Sequence, residues 1–173
     1  MHSSTNANGN KTTFNFTLPA NTVSWSYYVG VDQAGQDAFN KATKELSQKA
    51  TPLVSSIPGY GPLAALALGS TSYIAQLQSG EDIDYYICDG NNVNLFLSGQ
   101  AFYYIKKGKV INESARMTTN LKGSYHFCLS NDNAVTGVTV VVKVTAISVT
   151  ENWGTRPVEK MKVTSWEEPY LKN

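Results

Sequence analysis

Gly123–Val149, GSYHFCLSNDNAVTGVTVVVKVTAISV, contains the clearest strand signal in the chain. Apolar and polar residues alternate through Ser124–Ser130, which is the period of a half-buried β-strand. Thr136–Thr150 is rich in β-branched residues, whose side-chain rotamers suit a pleated sheet. Asn131-Asp132-Asn133 and Gly137, which lie between the two runs, are residues typical of turns. The stretch therefore predicts two strands joined as a long hairpin.

The same stretch carries a family resemblance. The order Gly-x-Tyr-x-Phe-Cys-Leu-x-Asn over 123–131, followed by a valine-rich strand, resembles the second half of a GOLD (Golgi-dynamics) domain. Phe14–Ala20, FNFTLPA, is similar to the opening strand of that family. GOLD domains are β-sandwiches found in cargo receptors of the early secretory pathway and in some lipid-transfer proteins. The resemblance implies a sandwich that binds a partner. This chain departs from the pattern near Trp25, where the cargo receptors have a cysteine, and in the long segment 33–79.

Composition favours a single domain outside the cytoplasm. The chain has 173 residues, a net charge of +1 and 16% charged residues, so it has no strongly basic surface that would attract nucleic acid. The low charge and the ten tyrosines are more typical of a domain outside the cytoplasm. Residues 1–11 are interpreted as an expression-tag remnant with a flexible start, and 12–173 as the domain. We expect a secreted, periplasmic or cell-surface protein whose native signal peptide has been removed.

The first half of the chain changes its period at Asp32. Thr12–Leu18 and Val23–Val31 alternate as strands. From Asp32 an amphipathic helix is predicted, and Pro62 begins a second helix that runs to about Gln78 and is apolar on nearly all sides. We expect the second helix to lie on the sheet and the first helix to cover it. The core residues expected from the second helix are Leu63, Leu66, Leu68, Tyr73, Ile74 and Leu77.

The remainder of the chain is predicted to be mainly strands. These predictions complete an antiparallel β-sandwich of the jelly-roll or GOLD-like type, with about eight strands and a helical hairpin inserted at 33–79. The individual segments are a strand from Asp82 to Cys88, a turn at Asp89-Gly90-Asn91-Asn92, a short strand Val93–Leu97, a hairpin of Ala101–Lys106 with Lys109–Asn112 through Lys107-Gly108, and a final strand Val158–Trp166.

Cys88 and Cys128 are the two cysteines. Two buried free thiols and one disulfide are both compatible with the sequence, and the disulfide is favoured in an oxidising compartment. It would close a loop of about 40 residues, for which chain entropy predicts a stabilisation on the order of 3–4 kcal/mol.

Catalytic and metal signals are weak. His126 and Cys128 share one strand face as a conceivable nucleophile pair, but no third residue is indicated that would orient them. The Asp/Asn-rich turns at 89–92 and 131–133 follow no calcium-loop spacing. We therefore expect no enzyme activity, no cofactor and no metal site.

Adjacent tyrosines supply the candidate binding residues. In each pair of adjacent tyrosines within a strand, one ring points to each face of the sheet. One face is buried in the core, and the rings on the opposite face must be covered either by the inserted helices or by a ligand. The sequence favours a non-catalytic binding module for a protein, glycan or lipid, with no nucleic acid and no transmembrane span. The alternatives are a membrane-active protein that uses the apolar helix 62–78 and, less favoured, a Cys/His-dependent enzyme. The predicted site residues are Tyr28, Tyr60, Tyr86 and Tyr104.

Overall fold

Two antiparallel sheets packed face to face make up the fold of the computed structural model, which describes residues 1–5, 9–49, 59–151 and 153–154. The four-stranded sheet has the order β1-β6-β3-β4, and the three-stranded sheet has the order β5-β2-β7. The strands are β1 (Lys11–Leu18), β2 (Thr22–Val31), β3 (Ile83–Cys88), β4 (Lys106–Val110), β5 (Asn112–Met117), β6 (Gly123–Ser130) and β7 (Val140–Ser148). The helices are α1 (Asp32–Lys49), α2 (Gly61–Ala67) and α3 (Gly90–Leu97).

The predicted β-sandwich with a helical insert is confirmed. Seven strands lie in the described ranges, and the predicted final strand Val158–Trp166 lies outside them. Alternate residues of both sheets form the core between them, as strand periodicity requires. Its fully buried members include Trp25, Tyr27, Ile83, Tyr85, Ile87 and Phe127.

The predicted hairpin of β6 with β7 is wrong. β6 pairs with β1 and β3, whereas β7 pairs with β2, so the chain crosses between the sheets in the connection 131–139. Asn131 is fully buried there, and its amide nitrogen donates to the carbonyls of His2 and Thr136. Alternation fixes which face of a strand is buried, but it does not fix which strand lies alongside.

The predicted hairpin over 101–112 is also wrong. Lys107-Gly108 lies within β4 and not in a turn, and β5 follows in the other sheet after the single residue Ile111. A side-chain carbon on Gly108 would lie 2.5 Å from the Tyr85 ring, so this glycine permits a close approach to a buried aromatic.

The helical insert is shorter than predicted. α2 ends at Ala67, not at Gln78, because Gly69 adopts the left-handed conformation (φ +102°) that stops a helix. Of the six residues expected in the core, Leu63, Leu66 and Ile74 are buried. Leu68 and Tyr73 are exposed, and Leu77 is half-buried.

The expected stacking of the first helix over the second is wrong as well. Both α1 and α2 pack on the outer face of β2, side by side, and they also contact each other. Tyr28, Phe39, Ala42, Leu63 and Ile74 form the cluster that joins helices and sheet. This helix layer covers the outer face of β2, which carries Tyr28, so the second helix lies on the sheet as expected. No helix in the described ranges is long and apolar enough to span a membrane.

The first residues of the chain contact the β6–β7 connection. The backbone N–H of Val138 donates to the carbonyl of Met1 (2.9 Å), and that of Ser4 donates to Asn133 (2.7 Å). These bonds hold residues 1–5 against the end of the sandwich.

Candidate functional site

The outer face of the four-stranded sheet presents the residues that point away from the core. Tyr86 and Cys88 of β3 lie beside His126 and Cys128 of β6 on this face, since their neighbours in each strand point inward. α3 and the loop 98–105, which we call the recognition loop, lie over this face. The candidate site is built from these three layers.

α3 forms where the sequence predicted a turn and a short strand. Asp89 is its N-cap, and the carboxylate accepts hydrogen bonds from the backbone N–H groups of Asn91 and Asn92. Such a cap satisfies donors that have no partner inside the helix. The predicted strand Val93–Leu97 is therefore wrong, because a short apolar run fits a helix face as well as a strand. Phe96 points inward, onto the two cysteines.

Four aromatic rings, from Tyr86, Phe96, Phe102 and Tyr104, form an aromatic platform. Tyr86 lies 5.1 Å from Phe102, 5.5 Å from Tyr104 and 5.9 Å from Phe96 between ring centroids. The arrangements are tilted or edge-to-face, which the charge distribution of aromatic rings favours. Lys107 places its ammonium 5.3 Å from the Tyr104 centroid. The platform fixes the base of the recognition loop on the sheet.

The recognition loop is held by hydrogen bonds to buried groups. The amide oxygen of Asn92 accepts from the backbone N–H of Tyr103 (2.8 Å), and its amide nitrogen donates to Asp89 (2.9 Å). The N–H of Ile105 donates to the carbonyl of Ile87 (2.8 Å). The loop nevertheless leaves Tyr103 87% exposed and Tyr104 42% exposed. An exposed aromatic on a fixed backbone needs little further ordering when it binds.

An open pocket of about 370 Å³ lies next to these tyrosines. Cys88 and Asp89 line it together with the recognition loop on one side, and the segment before and into β6 lines it on the other. The residues on that second side are Asn120, Lys122, Ser124 and Tyr125. The pocket therefore combines aromatic surface with hydroxyl, amide and ammonium groups.

The two cysteines meet beneath the platform as thiols. Cys88 and Cys128 are buried, their sulfur atoms lie 3.4 Å apart, and no disulfide joins them. The predicted pair is thus brought together, but the predicted bond is absent. Burial, together with the neighbouring Cys88 sulfur, raises the pKa of the Cys128 thiol to about 12. Burial also raises the pKa of Cys88, and the Asp89 carboxylate adds to this effect.

The four predicted tyrosines do not form one site. Tyr86 and Tyr104 belong to the aromatic platform, whereas Tyr28 is fully buried in the helix layer on the other sheet. Tyr60 is 40% exposed, and its ring lies 5.1 Å from the ammonium of Lys143 on β7. The sequence analysis missed Tyr103 and Asn92. The overlooked signal is Asp89, a residue type that commonly caps the start of a helix, followed by Asn91 and Asn92.

Burial determines the protonation state of the two thiols at this face. A protonated, fully buried thiol is a poor nucleophile, since the thiolate is the reactive form. In the part of the chain that the structure describes, no three His, Cys, Asp or Glu side chains are grouped to hold a metal ion.

No family model, no curated protein and no solved structure matches the chain. The function is therefore argued from this site.

Asn92→Ala is expected to loosen the recognition loop. The change removes the acceptor of the Tyr103 N–H, a part-buried hydrogen bond whose loss costs about 0.5–1.5 kcal/mol. We expect faster hydrogen exchange of the Tyr103 amide and a lower free energy of unfolding in denaturant titrations. Asn91→Ala on the exposed side of α3 is the matched control and should change neither quantity by more than about 0.5 kcal/mol. Equal effects of the two substitutions would contradict the assigned role of Asn92.

Proposed function

We propose that the protein is a non-catalytic binding module of an extracytoplasmic compartment and that the recognition loop contacts its partner. The observation that carries this proposal is the 87% exposure of Tyr103 on a loop fixed by the buried side chain of Asn92. A large exposed aromatic that is held in place is typical of a surface that becomes covered on binding.

The chemistry of the surface favours a protein partner. Tyrosine provides a large amphipathic contact at a low cost in side-chain entropy, and serine, glycine and asparagine provide adaptable hydrogen bonds. The recognition loop, SGQAFYYI, and the facing residues Asn120 and Ser124 have this composition. Lys122 is the single cation that lines the pocket, which gives little attraction to an anionic membrane.

The membrane-active alternative has lost its main support. It relied on an apolar helix over 62–78, but α2 ends at Ala67 and all seven of its residues are buried. Releasing it would expose Leu63 and break its packing against Tyr28 and Phe39.

A GOLD-like domain is the family relationship that we propose. The residues of the quoted motif have structural roles consistent with a shared fold: Phe127 and Leu129 lie in the core, and Asn131 organises the crossing between the sheets. The two-sheet sandwich is compatible with this relationship. The binding role of the GOLD family then supports the binding function by analogy.

A photo-crosslinker at position 103 tests the proposed surface. Tyr103 is replaced by p-benzoylphenylalanine, and Val135, which is 89% exposed on the β6–β7 connection, receives the same residue as the control. Extracts of the source organism should give a specific protein adduct at 103 and none at 135. The captured protein is then purified and titrated against the unmodified domain.

Tyr103→Ala should weaken that titrated binding at least about tenfold, since central aromatic residues contribute about 2 kcal/mol or more at interfaces. Stability should be nearly unchanged, because the Tyr103 ring is outside the core. Binding to a glycan array or to lipid vesicles that depends on Tyr103, without a protein adduct, would assign a different ligand class. Binding that is insensitive to Tyr103→Ala would contradict the proposed surface.

Cys88 and Cys128 are proposed to form a disulfide when the protein reaches an oxidising compartment. Their sulfur atoms are already in contact at 3.4 Å, so joining them needs only a small movement. Exchange with oxidised glutathione while the thiols are accessible during folding forms the bond and releases two reduced glutathione molecules. We expect non-reduced protein from such a buffer to be lighter by two hydrogens and more stable by about 3–4 kcal/mol. Cys88→Ser is the control and should show neither change. Two thiols persisting after oxidation, or after transient unfolding in the same buffer, would refute the disulfide.

A further inference from the structure

The end of β3 is the point at which both α3 and the recognition loop are attached to the sheet. Cys88 is the last residue of β3, and Asp89, which follows it directly, caps α3. At the far end of the loop, the backbone N–H of Ile105 donates to the carbonyl of Ile87, one residue before Cys88 (2.8 Å). α3 holds the middle of the loop and this bond holds its end. A movement of the strand end therefore affects both attachments.

The same strand end is paired on one side only. Among the residues that the structure describes, the pairing of β3 with β4 stops at Ile87, whereas Cys88 pairs with His126 of β6. A strand end with one neighbouring strand opens locally more readily than a central position, because fewer hydrogen bonds have to break. In the thiol form, α3 and the recognition loop thus depend on a strand end that is held from one side.

Cys128, by contrast, lies at a position of the same sheet that is paired on both sides. It is opposite Thr13 of β1 on one side and opposite Tyr86 of β3 on the other. Cys88 is therefore its diagonal neighbour on the outer face, and the two sulfur atoms lie 3.4 Å apart. A covalent bond between them would tie the end of β3 to a strand with neighbours on both edges.

Side-chain packing connects the thiol pair to the loop a second time. Phe96 of α3 is buried in one cluster with both cysteines. The Phe96 ring also lies 5.6 Å from the ring of Phe102, which belongs to the recognition loop. Closely packed interiors transmit small displacements, because they contain few voids that could absorb them. A change at the sulfur atoms therefore reaches the loop through side chains as well as through the backbone.

We propose that the redox state of Cys88 and Cys128 regulates how firmly the recognition loop is held. As thiols, the two residues leave the end of β3 free to open locally. As a disulfide, they fix this end on β6, and the loop opens less often. This inference rests on the binding function and the disulfide proposed above. A partner that needs the loop in one conformation then binds the oxidised protein more tightly, because less ordering is required on binding.

The test compares two forms of the unmodified full chain. Refolding with oxidised glutathione transfers two electrons and two protons from the thiols to the glutathione disulfide, which leaves as two reduced molecules. Refolding with excess dithiothreitol gives the thiol form. Mass spectrometry without reduction distinguishes the two products by the loss of two hydrogens. A chain that retains both thiols after refolding with the oxidant overturns the proposal.

Hydrogen exchange of single amides measures the coupling between the thiol pair and the loop. We expect the Tyr103 amide to exchange about tenfold more slowly in the disulfide form, which is within the usual range of coupling between two sites. Leu77 is the matched control. The Asn112 side chain of β5 accepts its backbone N–H at 2.8 Å, just as Asn92 accepts that of Tyr103. The exchange rate of the Leu77 amide should be the same in both forms, because it is attached to the other sheet.

A purely structural disulfide gives a different result. It stabilises the folded state as a whole and leaves exchange through local opening of the loop unchanged. Equal Tyr103 exchange rates in the two forms therefore overturn the proposal, as does an equal slowing of Tyr103 and Leu77. The double variant Cys88→Ser, Cys128→Ser should show one Tyr103 rate under oxidising and reducing conditions, and a rate that still depends on the conditions also overturns it. The comparison of the two unmodified forms does not require this variant to fold.

The crosslinker at position 103 separates this inference from the binding function. A larger amount of protein adduct from the disulfide form than from the thiol form supports both. Equal amounts of adduct from the two forms support the binding function and overturn its regulation. Slower Tyr103 exchange in the disulfide form without any adduct supports the coupling and contradicts the binding function.

Discussion

Burial of β2 on both faces and both edges is the constraint on which the rest of the structure depends. It pairs with β5 and β7, and adjacent tyrosines on it serve two different cores. The Tyr27 hydroxyl lies 2.7 Å from that of Tyr85 between the sheets, whereas the Tyr28 hydroxyl donates to Gly35 in the helix layer. A strand with an aromatic on each face cannot be stable unless both faces are covered, because each ring buries a large apolar area. The helices are therefore part of the folding unit.

Polar details on β2 fit the helices to it. The hydroxyls of Ser24 and Ser26 are buried and donate to the carbonyls of Ala67 and Leu63 in α2, at 2.6 Å each. Small side chains such as these serines allow the backbone of α2 to approach the sheet closely. Gly30 of β2 and Gly35 of α1 allow an equally close approach between β2 and α1. The core between the two sheets and the core between β2 and the helices thus share one strand. The recognition loop, which lies on the other sheet, is supported by a scaffold in which β2 is packed on both faces.

The sequence was informative about faces and much less about neighbours. Alternation in β2, β3 and β6 correctly predicted the side chains that face the core, and the two cysteines predicted to pair do lie in contact. It could not show that β6 and β7 lie in different sheets, because a turn-rich connection fits a hairpin and a sheet crossing equally well. The site was only half predictable. Tyr86 and Tyr104 were named, but Tyr103 depends on α3, whose valine and phenylalanine are equally typical of a strand.

Comparing the unfolding free energies of Leu63→Ala and Leu68→Ala tests most directly whether the helix layer is an integral part of the core. Leu63 lies near the start of α2 and is fully buried against β2, whereas Leu68 follows the last residue of the helix and is 51% exposed. The account predicts a loss of about 2–5 kcal/mol for Leu63→Ala and less than about 1 kcal/mol for Leu68→Ala. Similar small losses for both would show that α2 is loosely attached and that β2 does not depend on it.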